Sequence, residues 1–99
     1  MKISVERSGG FAGLTEKIAS VDTKELVRAK AEPLEKLIER VGFFGLPAVM
    51  KGTAVGADQF RYEITVEDGA RHHSVAFVED DSPQTAPLRG LVKQLQAGG

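Results

Sequence analysis

The segment from residue 60 to residue 77 restricts the possible folds of this 99-residue chain more than any other. Its first half alternates strictly between apolar and polar side chains, the period-two pattern of a strand with one buried face. The apolar positions are Phe60, Tyr62, Ile64 and Val66. Asp68-Gly69 follows, which is the strongest short signal for a two-residue hairpin turn. The segment therefore predicts an antiparallel hairpin.

The same turn predicts the register of this hairpin. With Asp68 and Gly69 as the two central residues, Tyr62 lies opposite Val75, and the next apolar pair is Phe60 with Phe77. All four side chains then share one face, as a buried sheet face requires.

A second hairpin is predicted for residues 2–21. Ile3 and Val5 alternate with polar residues, and residues 15–21 return to a strand-like composition. Ile18 and Val21 fall on opposite faces of a regular strand, so the sequence does not decide which face of this second strand is buried. The tip between the two strands is rich in glycine: Ser8-Gly9-Gly10-Phe11-Ala12-Gly13.

Two amphipathic helices complete the prediction. Asp22 with Glu25 forms a capping-box pattern that opens the first helix, and Gly42 ends it. Its apolar stripe is Val27, Leu34, Leu37, Ile38 and Val41. Pro33 either kinks this helix or begins a second one. The apolar stripe of the C-terminal helix is Leu88, Leu91, Val92 and Leu95.

The element order is ββαββα, which predicts an α+β fold. We expect a four-stranded antiparallel sheet with a long helix and a short C-terminal helix on one face. The length fits a single domain spanning residues 1–99. Residues 43–47 form an apolar connector expected to fold back onto the core, and residues 51–57 are expected to be a loop.

The chain directions bring three segments to one end of this predicted sheet. These segments are the glycine-rich tip, the loop that ends at Asp58 and the acidic loop with Asp80 and Asp81. The opposite end has only a tight turn and the start of the long helix. Because long loops on a rigid scaffold commonly carry binding residues, we expect the function at the loop-bearing end.

Composition excludes several classes of function. The 13 basic and 14 acidic residues leave a formal charge of −1, which does not favour a nucleic-acid or anionic-membrane partner. The absence of cysteine excludes disulfides, thiolate metal sites and cysteine nucleophiles. No apolar stretch has the length of a signal-peptide core or a membrane span, so we expect a cytoplasmic protein.

The sequence offers no catalytic set. The glycine-rich tip is not followed by the lysine or the helix of a phosphate-binding loop. His72 and His73 are adjacent on a strand, so they point to opposite faces and cannot ligate one metal regularly. The carboxylates are scattered and the serines lack a histidine partner, so we expect a binding protein rather than an enzyme.

Three segments in this order resemble the emfourin family, bacterial protein inhibitors of thermolysin-like and protealysin-like zinc metalloproteases. They are Arg7-Ser8-Gly9-Gly10-Phe11-Ala12-Gly13-Leu14, Phe43-Phe44-Gly45-Leu46-Pro47 and the stretch Gly56-Ala57-Asp58-Gln59-Phe60-Arg61-Tyr62 with the strand after it to Gly69. The resemblance spans nearly the whole chain. It implies a protease partner and no cofactor or metal of the inhibitor's own.

The resemblance also implies which residues touch the protease. Emfourin-like inhibitors act through an apolar loop and a neighbouring loop that offers a carboxylate to the catalytic zinc. The apolar loop maps onto Gly9, Gly10, Phe11, Ala12, Gly13 and Leu14. Asp58 matches the family motif for the carboxylate, and Asp80 and Asp81 are further candidates at the same end, whereas Asp68 is not.

Each of these residues also has a structural interpretation. Phe11 can cap the core beneath the hairpin instead of inserting into a partner. Asp58 can be a turn residue whose side chain accepts bonds from nearby backbone amides. The alternative function is a non-inhibitory interaction module that uses the same end, or the outer sheet face with Arg61, Glu63 and His72. A small-molecule enzyme would need converging titratable groups that the sequence does not offer.

Overall fold

The computed structural model describes residues 1–9, 15–50, 60–78, 83 and 85–97. The strands are β1 (Lys2–Gly9), β2 (Glu16–Asp22), β3 (Val49–Met50), β4 (Phe60–Asp68) and β5 (Arg71–Val78). The α-helices are α1 (Arg28–Arg40) and α2 (Ala86–Gln96), and short 3₁₀ helices span Thr23–Glu25 and Phe43–Gly45. The fold is α+β, as predicted.

The sheet has five strands in the order β2-β1-β4-β5-β3, not the four that the sequence predicts. The additional strand β3 pairs parallel to β5, so the sheet is mixed rather than purely antiparallel. The Ala76 amide also donates to the Ala48 carbonyl oxygen at 2.8 Å, just before β3 begins. A strand of two residues is too short to show a period-two pattern, and only the returning connector brings it against β5.

The β4–β5 register differs by two residues from the predicted one. Tyr62 pairs with Phe77 and Ile64 with Val75, so Phe60 does not lie opposite Phe77. On its other side, Phe60 pairs with Gly9 of β1. The turn is centred on Gly69 and Ala70, because Asp68 and Arg71 still pair. Since the shift is an even number of residues, every side chain keeps its predicted face.

The open question about the face of β2 is answered by a β-bulge. Val5 pairs with Ala19, but the next residue of β1, Glu6, pairs with Lys17, so Ile18 is an extra residue without a direct partner. Ile18 and Ala19 both pack against the core. A bulge lets two consecutive residues face the same side, which a strict alternation cannot express.

The first helix begins later than predicted. Asp22 caps the 3₁₀ helix rather than α1, with its Oδ1 accepting a bond from the Lys24 amide at 3.1 Å. α1 begins at Arg28, and Val27 precedes it with a side chain that is 66% exposed, outside the apolar stripe. Asp22 is therefore an N-cap, as predicted, but it opens the 3₁₀ helix and not the long helix α1, whose own N-cap Val27 makes no side-chain cap bond.

α1 continues through Pro33, which resolves the alternative left open by the sequence. Proline has no amide hydrogen, so the Ala29 carbonyl lacks its usual partner four residues later. The helix ends as predicted at Gly42, which has φ +64° and donates its amide to the Glu39 carbonyl at 3.0 Å.

Both α-helices pack on the same sheet face around one hydrophobic core. The fully buried side chains there include Ile3, Val5, Leu34, Ile38, Phe43, Ile64, Val66, Val75, Phe77, Leu88 and Leu91. The connector after α1 does fold back: Phe43 is buried, and Phe44 and Leu46 pack against the core. The C-terminal apolar stripe is also confirmed, since all four predicted residues of α2 are buried.

Candidate functional site

One end of the sheet carries three connections of the chain. β1 ends at Gly9, which pairs with Phe60 at the start of β4. β5 ends at Val78, which pairs with Arg61, and β3 ends at Met50 beside Phe77. The segments 10–14, 51–59 and 79–82 therefore attach to the described strands at neighbouring points. The predicted convergence at one end is confirmed for these attachment points.

A single row of side chains crosses all five strands just below this end. The register places them in the order Glu16, Arg7, Tyr62, Phe77 and Met50. Tyr62 and Phe77 stack with ring centroids 5.4 Å apart and an interplanar angle of 20°. Such cross-strand pairs stabilise neighbouring strands. This row, the base of the loop-bearing end, therefore holds the strands together just below the points where the three segments attach.

Arg7 makes the polar part of this base. Its guanidinium forms an ion pair with Glu16 on β2 and lies over the Phe60 ring of β4, 4.4 Å from the ring centroid. The hydrogen bond with Glu16 is the largest cause that raises the pKa of Arg7, and hydrogen bonding to Tyr62 adds to it. Phe60 is 37% exposed, so its ring packs beneath Arg7 rather than in the core.

Gly9 is the last described residue before the glycine-rich tip. Its φ of +90° is a conformation that residues with a Cβ rarely adopt, so glycine suits this position. The other predicted contact residues lie outside the described residues: Gly10, Phe11, Ala12, Gly13, Leu14, Asp58, Asp80 and Asp81.

The opposite end of the sheet holds a second arginine in a similar setting. Arg71 donates to Asp68 at 2.6 Å and to Glu39 at 3.2 Å, and it lies over the Phe44 ring at 4.2 Å. The hydrogen bond from Arg71 lowers the pKa of Asp68. Asp68 thus lies at the end away from the loops, which agrees with its exclusion as the zinc-directed carboxylate.

The two histidines point to opposite faces, as predicted. His73 is half-buried, with Nε2 2.6 Å from the Leu46 carbonyl oxygen and its ring edge-on to Phe43. His72 is exposed, with Nε2 3.6 Å from Oε1 of Glu67. Within the described ranges, no three His, Asp or Glu side chains are grouped so that they could hold a metal ion.

Sequence reasoning missed Arg7, Glu16 and Phe60 as parts of this end. Arg7 directly precedes the glycine-rich tip, which is a signal, but its partners depend on the register. Glu16 is nine residues away along the chain and Phe60 is on another strand. Only the pairing of β1 with both β2 and β4 brings the three together.

The sequence model of the emfourin family matches residues 5–96. The chain belongs to the emfourin family. The matched residues include all of α1, the whole of the β4–β5 hairpin and the attachment points of the three segments, and membership indicates a protein of the protease-inhibitor type.

No curated protein and no solved structure matches this emfourin-family chain significantly. Neither helix of the described part has the length and apolarity needed to cross a membrane.

Proposed function

We propose that this emfourin-family chain inhibits a thermolysin-like, protealysin-type zinc metalloprotease by placing its loop-bearing end in the active-site cleft. The observation that carries the proposal is the pairing of Gly9 with Phe60 in a chain that matches an inhibitor family. Phe11 follows Gly9 by two residues, and Asp58 precedes Phe60 by two. An inhibitor of such an enzyme needs an apolar side chain and a carboxylate. Phe11 and Asp58 are thus attached to neighbouring strand ends.

The two groups have separate chemical tasks. Phe11, with Ala12 and Leu14, offers apolar surface to a substrate-side-chain pocket, where buried aromatic anchors contribute strongly to binding. Asp58 offers a carboxylate to the zinc, in the coordination position that catalytic zinc otherwise keeps for water. Displacing that water removes the nucleophile of peptide hydrolysis. Because no covalent bond forms between the two protein chains, the inhibition is reversible. Asp80 and Asp81 are the alternative sources of the carboxylate.

The first experiment titrates the purified chain into a protealysin-type and a thermolysin-type protease. We expect competitive inhibition at micromolar concentrations or below. Folded protein that does not inhibit at micromolar concentrations contradicts the proposal. Binding to another partner without any effect on proteolysis would instead support the interaction-module alternative.

Substitutions then separate contact from structure. We expect Phe11→Ala and Asp58→Asn each to weaken inhibition by about 10-fold to 100-fold, because interface anchors commonly contribute energies of that order. Thermal stability should stay nearly unchanged. The matched controls are Val27→Ala, an exposed apolar residue, and Asp68→Asn, an aspartate at the far end. A large loss of thermal stability would favour the structural interpretation of Phe11 or Asp58.

A thermodynamic cycle that combines removal of the protease zinc with substitution of Asp58 tests whether this carboxylate ligates the metal. Binding of the wild-type chain is compared with zinc-loaded and zinc-free protease, and so is binding of Asp58→Asn. If Asp58 ligates the zinc, removing the metal weakens the wild type but leaves the affinity of Asp58→Asn unchanged. Equal losses for both chains contradict this role for Asp58, and the same cycle is then applied to Asp80→Asn and Asp81→Asn.

A further inference from the structure

We infer that Arg7 is a positioning residue that holds the attachment points of the two proposed inhibitory segments together. The inference rests on the proposed function, since it concerns the residues that carry Phe11 and Asp58. Arg7 contacts a residue beside each segment: Glu16 follows the segment 10–14 after one residue, and Phe60 follows the segment 51–59 directly. One side chain thereby connects three strand ends.

The register makes these contacts geometrically natural. Arg7 lies directly opposite Glu16 on β2 and opposite Tyr62 on β4. Phe60 is the diagonal neighbour of Arg7 on the same face, within reach of a long side chain. Since β1 lies between β2 and β4 in the sheet, a residue on β1 is the one suited to reach both neighbours at once.

The chemistry of arginine suits this position. A planar guanidinium can stack on an aromatic ring while its N–H groups still donate to a carboxylate, which a lysine ammonium does less well. The side chain of Arg7 is 30% exposed, and its guanidinium carbon lies 4.4 Å from the centroid of the Phe60 ring. Gly9 and Phe60 form the last described pair of β1 and β4 at this end, and Arg7 supplies a side-chain contact beside that pair.

Arg71 provides a matched control within the same chain. It also combines a carboxylate partner with an aromatic ring, since it lies 2.6 Å from Asp68 and 4.2 Å from the centroid of Phe44. It differs in its place, because it lies at the turn between β4 and β5, away from the loop-bearing end. Substitution of either arginine should lower the stability of the protein. Only substitution of Arg7 should disturb the strand ends that carry the two proposed inhibitory segments.

The experiment measures inhibition and amide hydrogen exchange for Arg7→Gln and Arg71→Gln beside the wild-type chain. For Arg7→Gln we expect about 10-fold weaker inhibition and faster exchange confined to Ser8, Gly9, Phe60 and Arg61. For Arg71→Gln we expect unchanged inhibition, with faster exchange at its own end of the sheet. Arg7→Lys should restore part of the inhibition, because it keeps the charge but loses the planar contact with Phe60.

A charge swap separates the two contacts of Arg7. In the double variant Arg7→Glu with Glu16→Arg, the ion pair between β1 and β2 is restored. The arginine on β2 is then two strand spacings, about 10 Å, from β4, so it cannot lie over Phe60 as Arg7 does. We expect inhibition to stay weak. Full recovery would show that the β1–β2 ion pair alone matters and would overturn the role assigned to Arg7.

The remaining outcomes are equally decisive. Unchanged exchange at Gly9 and Phe60 in Arg7→Gln overturns the inference, and so does faster exchange with unchanged inhibition. If the wild-type chain does not inhibit any tested protease, the proposed function fails and Arg7 has no inhibitory segments to position. The exchange pattern then still decides whether Arg7 holds the three strand ends, so the two failures are distinguishable.

Discussion

At the scale of single residues, two neighbouring histidines have different environments. His73 donates its Nε2–H to the Leu46 carbonyl oxygen, because a carbonyl can only accept, and it packs edge-on against Phe43. It therefore fastens the connector after α1 to β5. His72, one residue earlier, is exposed on the outer sheet face. The period of two along a strand assigns these roles, although the residue type is the same.

This difference predicts unequal effects of the same substitution. His73→Ala should lower the free energy of unfolding by about 1–3 kcal/mol, because it removes a partly buried hydrogen bond and leaves the carbonyl without its partner. His72→Ala should change it by less than about 0.5 kcal/mol. Chemical denaturation of both variants measures the difference. Equal effects would contradict the assigned contact of His73 with Leu46.

At the scale of elements, the turn and the bulge explain the two register errors. The dipeptide Asp68-Gly69 correctly signals a hairpin, but Gly69 is the first central residue of the turn and Ala70 the second. Positive φ at the first position only fits a type II′ turn, whereas the prediction assumed a type I′ turn one residue earlier. In β2, the bulge at Ile18 depends on the fit of β2 against β1, which no local pattern encodes.

Two glycines in different elements, one in a turn and one in a helix, should respond oppositely to substitution by alanine. Gly69 has φ +62°, so Gly69→Ala should cost about 1–2 kcal/mol in the free energy of unfolding even though a Cβ meets no atom within 4 Å. Gly90 also has open space but lies within helix α2. Gly90→Ala should stabilise the protein by about 0.5–1 kcal/mol, because alanine has the higher helix propensity. Thermal unfolding of both variants should show opposite signs, and equal signs would contradict the assigned turn.

At the scale of the whole molecule, the two ends of the sheet are separate. β4 runs from Phe60 at the loop-bearing end to Asp68 at the turn, a distance of about 26 Å for nine residues in extended conformation. The core fills the space between them, and both α-helices pack on one face of the sheet. A change at the turn should therefore leave the proposed protease contact unaffected.

Insertion of a folded tag between Gly69 and Ala70 tests this separation. We expect the inhibition constant to stay within about threefold of the wild type, because a two-residue loop tip tolerates insertions when few contacts depend on it. A chain with a short glycine-serine insertion at the same position provides the control. Strong loss of inhibition by a chain that remains folded would place the protease contact elsewhere than the loop-bearing end.

Much of this protein follows from its sequence because its elements carry strong local patterns. The alternation from Phe60 to Val66 and the apolar stripe of α2 report burial directly, and Gly42 supplies the left-handed conformation that ends α1. The chain directions of these elements suffice to bring the three connections to one end. The resemblance to emfourins, confirmed by the match over residues 5–96, also rests on the residues alone.

Only the tertiary structure decided the features that depend on pairing between distant segments. These are the short strand β3, the bulge at Ile18, the register of the β4–β5 hairpin and the use of Asp22 by a 3₁₀ helix. The contacts of Arg7 belong to the same group. An arginine beside a glycine-rich tip has no fixed partner in the sequence, and it acquires Glu16 and Phe60 because β1 lies between the two strands that carry them.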